Sequence, residues 1–166
     1  MNSSAYPPID WARVDLLIDL ALQEDLDTTG DVTTNSVVPE EAVARAVLLC
    51  KEPGMVIAGL SVAERVFKKV EPRLEFTALK HDGDSCGVGE VFAEIKGPAR
   101  GILIAERTAL NFLQRLCGVA TTSAKYAKAL AGFKTVVLDT RKTTPGYRNL
   151  EKYAAAVGGA TNHRVG

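Results

Sequence analysis

The chain has 166 residues, 46% of them hydrophobic, which is enough apolar material for one good core or two small ones and excludes a disordered or fibrous protein. Twenty basic residues cancel twenty acidic ones, so the overall positive charge of a sequence-independent nucleic-acid binder is missing and no nucleic-acid partner is expected. Three widely spaced cysteines without a CxxC pair argue against a disulfide framework and a zinc site, and neither a leader-type start nor a run of about 18 apolar residues is found, so no membrane partner is expected and the setting is cytoplasmic.

In chain order, Val14, Leu17, Ile18, Ala21 and Leu22 recur at helical spacing after Asp10, a residue type that caps helices, with Asp15 and Asp19 on the wet side. This helix is expected to end near residues 24–25, and the polar run 27–35 reads as a loop. Residues 44–50 and 55–58 read as two strands separated by the turn at Pro53 and Gly54. A helix over 61–69 follows, then strand-like runs at 74–79 and 90–96 with the His81-Asp-Gly-Asp turn between them. These elements give an α+β N-terminal domain on a small antiparallel sheet, placed at residues 1–105.

From Gly97 and Pro98 the pattern changes. Residues 102–116 carry one apolar helical face, and a second helix over 123–130 is expected, capped by Thr121 or Thr122 and ended by Gly132. Residues 135–138 read as a buried-type strand, 150–157 as a helix, and Gly158 and Gly159 as a breaker before a short run to Asn162. Strand, helix, strand in this order is the opening of a parallel α/β barrel, placed at residues 106–166 and incomplete, since a whole barrel takes about 200–250 residues. No internal repeat or low-complexity tract is visible.

Charge is uneven along the chain. Residues 10–31 hold seven acids and one base, whereas residues 132–166 hold six bases and two acids. Within Asp139–Arg164, the cations Arg141, Lys142, Arg148, Lys152 and Arg164 outnumber Asp139 and Glu151, which points to a polyanionic ligand. If the strand-helix-strand reading holds, the Arg141-Lys142 and His163-Arg164 clusters both follow the carboxyl ends of neighbouring parallel strands, the catalytic rim of such barrels. The acids Asp25, Asp27 and Asp31 lack the glycine and terminal glutamate of an EF-hand loop and read as a solvated loop or subunit contact. His81-Asp-Gly-Asp reads as a turn, not as a metal site.

The blocks LALQEDLDTTGDVTT (20–34), GMVIAG (54–59), ERTALNFLQRLCGVAT (106–121), DTRKTTPGYRNLEKYA (139–154) and GGATNHR (158–164) resemble the N-terminal portion of quinolinate phosphoribosyltransferase, also called nicotinate-nucleotide pyrophosphorylase (carboxylating). The resemblance implies transfer of phosphoribosyl from phosphoribosyl pyrophosphate to quinolinate with decarboxylation, giving nicotinate mononucleotide, carbon dioxide and pyrophosphate, a step of NAD synthesis. It also implies that the α+β N-terminal domain is a sandwich domain, that the protein is a homodimer or higher homo-oligomer, and that it uses a magnesium ion whose ligands are not in this chain.

By the same resemblance, Thr140, Arg141, Lys142, His163 and Arg164 fall on substrate-binding positions. Arg107 does too, matching an arginine that reaches the partner subunit's site; Arg107, Lys142 and His163 carry the catalytic assignment. Taken alone, Arg107 is a solvated helix arginine and His163 a structural histidine; their motif context turns both readings toward the site. Planar guanidinium groups can clamp the two adjacent carboxylates of quinolinate, and transfer through a cation-like transition state needs positioning and fixed charge with no nucleophilic side chain. The family's further phosphate and metal residues lie beyond the NHR block, so this truncated chain is expected to have no turnover alone. Two alternatives remain at this level: a related protein of the molybdate-transport-associated type, and a non-catalytic anion-binding or dimerisation module.

Overall fold

A computed structural model describes residues 6–164. The first five residues of the stretch read above as lacking a leader, and the closing residues 165–166, lie outside them. Helix α1 (Trp11–Leu26) begins as expected, with the Asp10 carboxylate accepting from the Arg13 backbone N–H, and buries Val14 and Ile18. Asp15 and Asp19 pair with Arg65 and Lys69 on helix α3 (Leu60–Val70), so the wet side of α1 is stitched to a neighbour. The run expected as a loop contains a short helix, α2 (Val32–Val37). Asp31 nucleates it by accepting from both the backbone N–H and the hydroxyl of Thr34, a local signal too short to give a periodicity.

Strands β1 (Val43–Leu49), β3 (Glu75–Ala78) and β5 (Val91–Pro98) form an antiparallel sheet in the order β1-β5-β3. Val43 stands opposite Pro98 and Ala46 opposite Ile95, with an irregularity between Leu48 and Leu49. The second predicted strand does not join this sheet. It is the two-residue β2 (Met55–Val56), paired with β4 (Ser85–Cys86), an element too short to carry a sequence pattern. The His81-Asp-Gly-Asp segment is a turn, and Asp82 also caps α3 from outside, accepting from Gly59 N (2.7 Å) and Leu60 N (3.1 Å). Gly59 suits that corner because its φ is +92° and a Cβ there would run into Leu116.

The two helices expected after Pro98 are one: α4 (Ala99–Ala129), 31 residues long. The buried stripe Ile102, Ala105, Ala109, Phe112, Leu116 and Ala120 continues past Gly118, which is exposed, so nothing forces a break there. Thr121 does not cap a new helix; its hydroxyl accepts from Val56 N at 2.9 Å. Helix α4 therefore runs unbroken from the sandwich into the barrel opening, packed on α3 and on α5 (Arg148–Val157). One core joins Val14 and Ile18 of α1, Val66 and Phe67 of α3, Phe92 and Ile95 of the sheet, and Leu150 and Ala154 of α5. The free cysteines Cys50, Cys86 and Cys117 are all buried.

Residues 135–138 are extended but not buried: Val136 is 61% and Leu138 56% exposed. Among the described residues their only ladder is the isolated parallel bridge of Leu138 with Thr161. An apolar run acquires the burial of an inner strand only when both its edges and its faces are covered.

Candidate functional site

The candidate site is built on that parallel bridge. Thr161 N donates to Val137 O at 2.8 Å and Asp139 N donates to Thr161 O at 3.0 Å, with α5 as the crossover between the two extended segments. The chain beyond Asp139 and the chain beyond Thr161 therefore leave the same edge side by side. The first carries Thr140, Arg141 and Lys142, and the second carries His163 and Arg164, so five of the six predicted residues are brought to one rim.

Their surroundings differ. Thr140 Oγ1 accepts from Lys142 N at 3.0 Å and shapes the turn. His163 donates its backbone N–H to Asp139 Oδ1 at 2.9 Å. The side chains of Arg141, Lys142 and Arg164 are exposed and make no hydrogen bond or ion pair with other described residues, leaving three positive charges uncommitted at the rim. Arg107 lies elsewhere on α4. Its guanidinium bonds Asp25 at 2.5 Å, and among the described residues it bonds none of the other five. Asp25 thus has a partner within the chain in place of a solvated loop, while Asp31 caps α2.

Beneath the rim lies a polar layer that sequence reasoning missed. Lys152 of α5, with its side chain 3% exposed, places Nζ 2.7 Å from both carboxylate oxygens of Asp139, itself 5% exposed. Asn162 Nδ2 adds a bond to Asp139 Oδ2 at 2.6 Å and one to Lys152 O at 3.0 Å. Burial alone would push the Asp139 carboxyl up, but the His163 N–H, the Lys152 ammonium and the Asn162 amide together hold it below the ordinary carboxylate range. A count of cations overstates the charge offered to a ligand here, since Lys152 is spent on Asp139. The available signal was two adjacent charged residues, Glu151 and Lys152, inside a short helix that otherwise buries Leu150, Ala154, Ala155 and Val157.

Glu151 holds the loop that follows the first segment. Its carboxylate accepts from Arg115 Nη2 at 2.6 Å and from Thr144 N at 3.3 Å, and Arg115 also reaches Thr144 Oγ1 at 2.9 Å. The N-terminal segment is tied to the same helix, because Asn149 Oδ1 accepts from Asp10 N at 2.8 Å. Against the burial that raises it, the Glu151 carboxyl is held low by Arg115 and Thr144.

A cavity of about 870 Å³ lies not at the rim but between β1, β5 and α4, lined by Phe67, Phe92, Ile95, Leu113 and Cys117 among others. None of the six predicted residues borders it or the smaller cavity of about 490 Å³ beside Arg115 and Val137. Among the described residues no three His, Cys, Asp or Glu side chains gather as metal ligands. Also among them, no helix is long and apolar enough to cross a membrane. What the arrangement offers chemically is a rim of exposed cations, unpaired among the described residues, on a charge-neutralised base, suited to binding a small polyanion.

Residues 31–117 match the family model "Quinolinate phosphoribosyl transferase, N-terminal domain" and residues 119–166 match its "C-terminal domain" counterpart. The chain is 41% identical over 162 residues to a rice protein named nicotinate-nucleotide pyrophosphorylase [carboxylating], chloroplastic, covering 98% of this chain and 42% of the relative. It is also 41% identical to a Synechocystis protein named as a probable member of the same kind, covering 96% of this chain and 52% of the relative. The crystal structure of NadC from Streptococcus pyogenes superposes with a TM-score of 0.90 at 39% identity, over 96% of this chain and 56% of that one. The nicotinate-nucleotide pyrophosphorylase from Francisella tularensis superposes at 0.89 and 36%. The chain spans about half the length of the curated relatives it matches.

Proposed function

The chain belongs to the quinolinate phosphoribosyl transferase family, and from that premise we propose that it supplies the sandwich domain and opening barrel strands of an enzyme making nicotinate mononucleotide. The reaction joins quinolinate to the phosphoribosyl group of phosphoribosyl pyrophosphate, releasing pyrophosphate and carbon dioxide, in the cytoplasm and on the way to NAD. The observation that carries this reading is the parallel join of Leu138 with Thr161, from which two separate cationic segments leave on the same side.

In this reading Arg141 and Arg164 pair with the two adjacent carboxylates of quinolinate, while Lys142 and His163 face the phosphate-bearing substrate. Thr140 holds the turn that presents them. Fixed positive charge on both substrates aligns the ring nitrogen with the sugar carbon as pyrophosphate departs, and no covalent intermediate with the protein is needed. Once the ring nitrogen carries the sugar it is positively charged, and the electron pair left by the departing carboxylate is stabilised beside it. Arg107, set apart on α4, serves the site of a second copy of the chain, so the working unit is a homodimer or larger homo-oligomer.

Titration calorimetry with quinolinate, on the unaltered chain and on Arg141→Ala, tests the reading. Losing charge-assisted hydrogen bonds at one carboxylate should cost about 1.5–3 kcal/mol. Equal affinity for the two proteins, or no affinity of the unaltered chain for pyridine dicarboxylates, counts against it.

A further inference from the structure

We infer that Asp139, Lys152 and Asn162 form a positioning clasp that sets the relative placement of the two cationic segments and keeps their guanidinium groups free for an acidic ligand. The inference rests on the functional reading above and deepens it, by naming residues that act on the ligand only through others.

Three observations carry it. The backbone ladder between the two segments ends at Asp139 and Thr161, and every further hydrogen bond between them among the described residues ends on the Asp139 carboxylate. One of those bonds comes from the backbone of His163 itself, at 2.9 Å, and Asp139 stands only two residues before Arg141. The carboxylate therefore couples the rim residues of one segment to those of the other. The second observation is charge placement. Asp139 is the acid nearest the rim in sequence, and Lys152 engages both its oxygens from below at 2.7 Å. With that negative charge neutralised by a buried ammonium, Arg141 and Arg164 have no carboxylate partner among the described residues. Third, the pair is almost fully enclosed, at 3% and 5% exposure, where an ion pair gives little net stability over well-packed apolar residues. A purely structural role is served as well by apolar side chains, whereas orientation and charge neutralisation are not.

Lys152→Met exposes the difference, because it leaves the Asp139 carboxylate free to capture a neighbouring guanidinium. Asp139→Asn in that background removes the competing charge and retains an oxygen that accepts from His163 N. In the full natural chain, Lys152→Met should weaken quinolinate binding about tenfold or more, equivalent to about 1.4 kcal/mol or more. The double variant Asp139→Asn/Lys152→Met should return to within about threefold of the unaltered protein. Calorimetry supplies the dissociation constants, and amide hydrogen exchange at His163 reports whether the second segment stays in place. A folded Lys152→Met protein that binds quinolinate normally overturns the inference, as does a folded double variant that binds as weakly as Lys152→Met.

Should Lys152→Met not fold, Asn162→Ala reads the clasp from its other side while sparing the ion pair. Faster exchange at the His163 amide together with weaker quinolinate binding supports the inference. Unchanged binding overturns it, whatever the exchange rate. Failure of the unaltered protein to bind quinolinate overturns the functional reading and this inference with it, whereas binding that is indifferent to the clasp overturns the inference alone.

Discussion

At the scale of single residues, Asp139 and Lys152 illustrate why a buried ion pair is costly to break and cheap to replace. Removing Lys152 alone leaves a carboxylate enclosed without its counter-charge, so Lys152→Met should lose about 3–5 kcal/mol in urea unfolding, and the double change with Asp139→Asn much less. The pH dependence has a definite sign. Asp139 is held below its ordinary value of 3.8 and Glu151 below 4.5, so both contribute stability above those values that is lost as pH falls through their lower folded-state pKa values. Acid unfolding of the unaltered chain should steepen below about pH 4, and less so in Asp139→Asn/Lys152→Met, as followed by circular dichroism. The cysteines are a contrasting case. Burial pushes the Cys86 and Cys117 thiols up to about 11, so at neutral pH both are protonated and enclosed. Iodoacetamide should alkylate them slowly in the native protein and promptly after unfolding, which peptide mass spectrometry can follow.

At the scale of elements, α4 is the member on which the others are arranged, and two glycines test it. Gly118 is exposed within the helix with open space where a Cβ would stand, so Gly118→Ala should stabilise the chain by about 0.8–1 kcal/mol if the helix is continuous. Gly158 is the opposite case. A Cβ there would strike the Ala120 carbonyl of α4 and lie 2.7 Å from Ser123 Cβ, so Gly158→Ala should force α5 away from α4 and cost about 1–3 kcal/mol. Thermal melting of the two variants gives both signs. Helices α1, α3 and α5 were legible because each has a long apolar stripe and a recognisable end. The continuity of α4 was not, since Gly118, Thr121 and Thr122 are also what a break and a new cap would contain. The run 135–138 was legible as extended but not as exposed, because burial depends on neighbours that local sequence does not name. The same reason hid the clasp. Asp139, Lys152 and Asn162 meet only after α5 folds back, and a count of cations cannot tell an enclosed lysine from the free Arg141.

At the scale of the whole molecule, charge is separated although the total is zero. The acid-rich stretch 10–31 supplies Asp25 to Arg107, and in the base-rich stretch 132–164 Arg141, Lys142 and Arg164 have no ion-pair partner among the described residues. Arg107 lies eight residues before Arg115 on α4, about 12 Å along the axis from the helix position that braces the loop after Lys142. A single copy thus holds Arg107 on Asp25, without a hydrogen bond to the rim residues among the described residues, which is compatible with the proposal that each site draws on two chains. That arrangement has a quantitative consequence. Copies of the full natural chain carrying Arg107→Ala, and copies carrying Arg141→Ala, should each form nearly inactive homo-oligomers. Dissociated, mixed in equal amounts and reassociated as random dimers, half the dimers contain one copy of each, and each such dimer has one intact site, so about a quarter of the unaltered activity should return. Recovery of that size, measured as nicotinate mononucleotide formed from quinolinate and phosphoribosyl pyrophosphate, requires Arg107 to act across chains. A mixture no more active than its two components places Arg107 in its own chain's chemistry or outside the site, and leaves its bond to Asp25 as an ordinary surface contact.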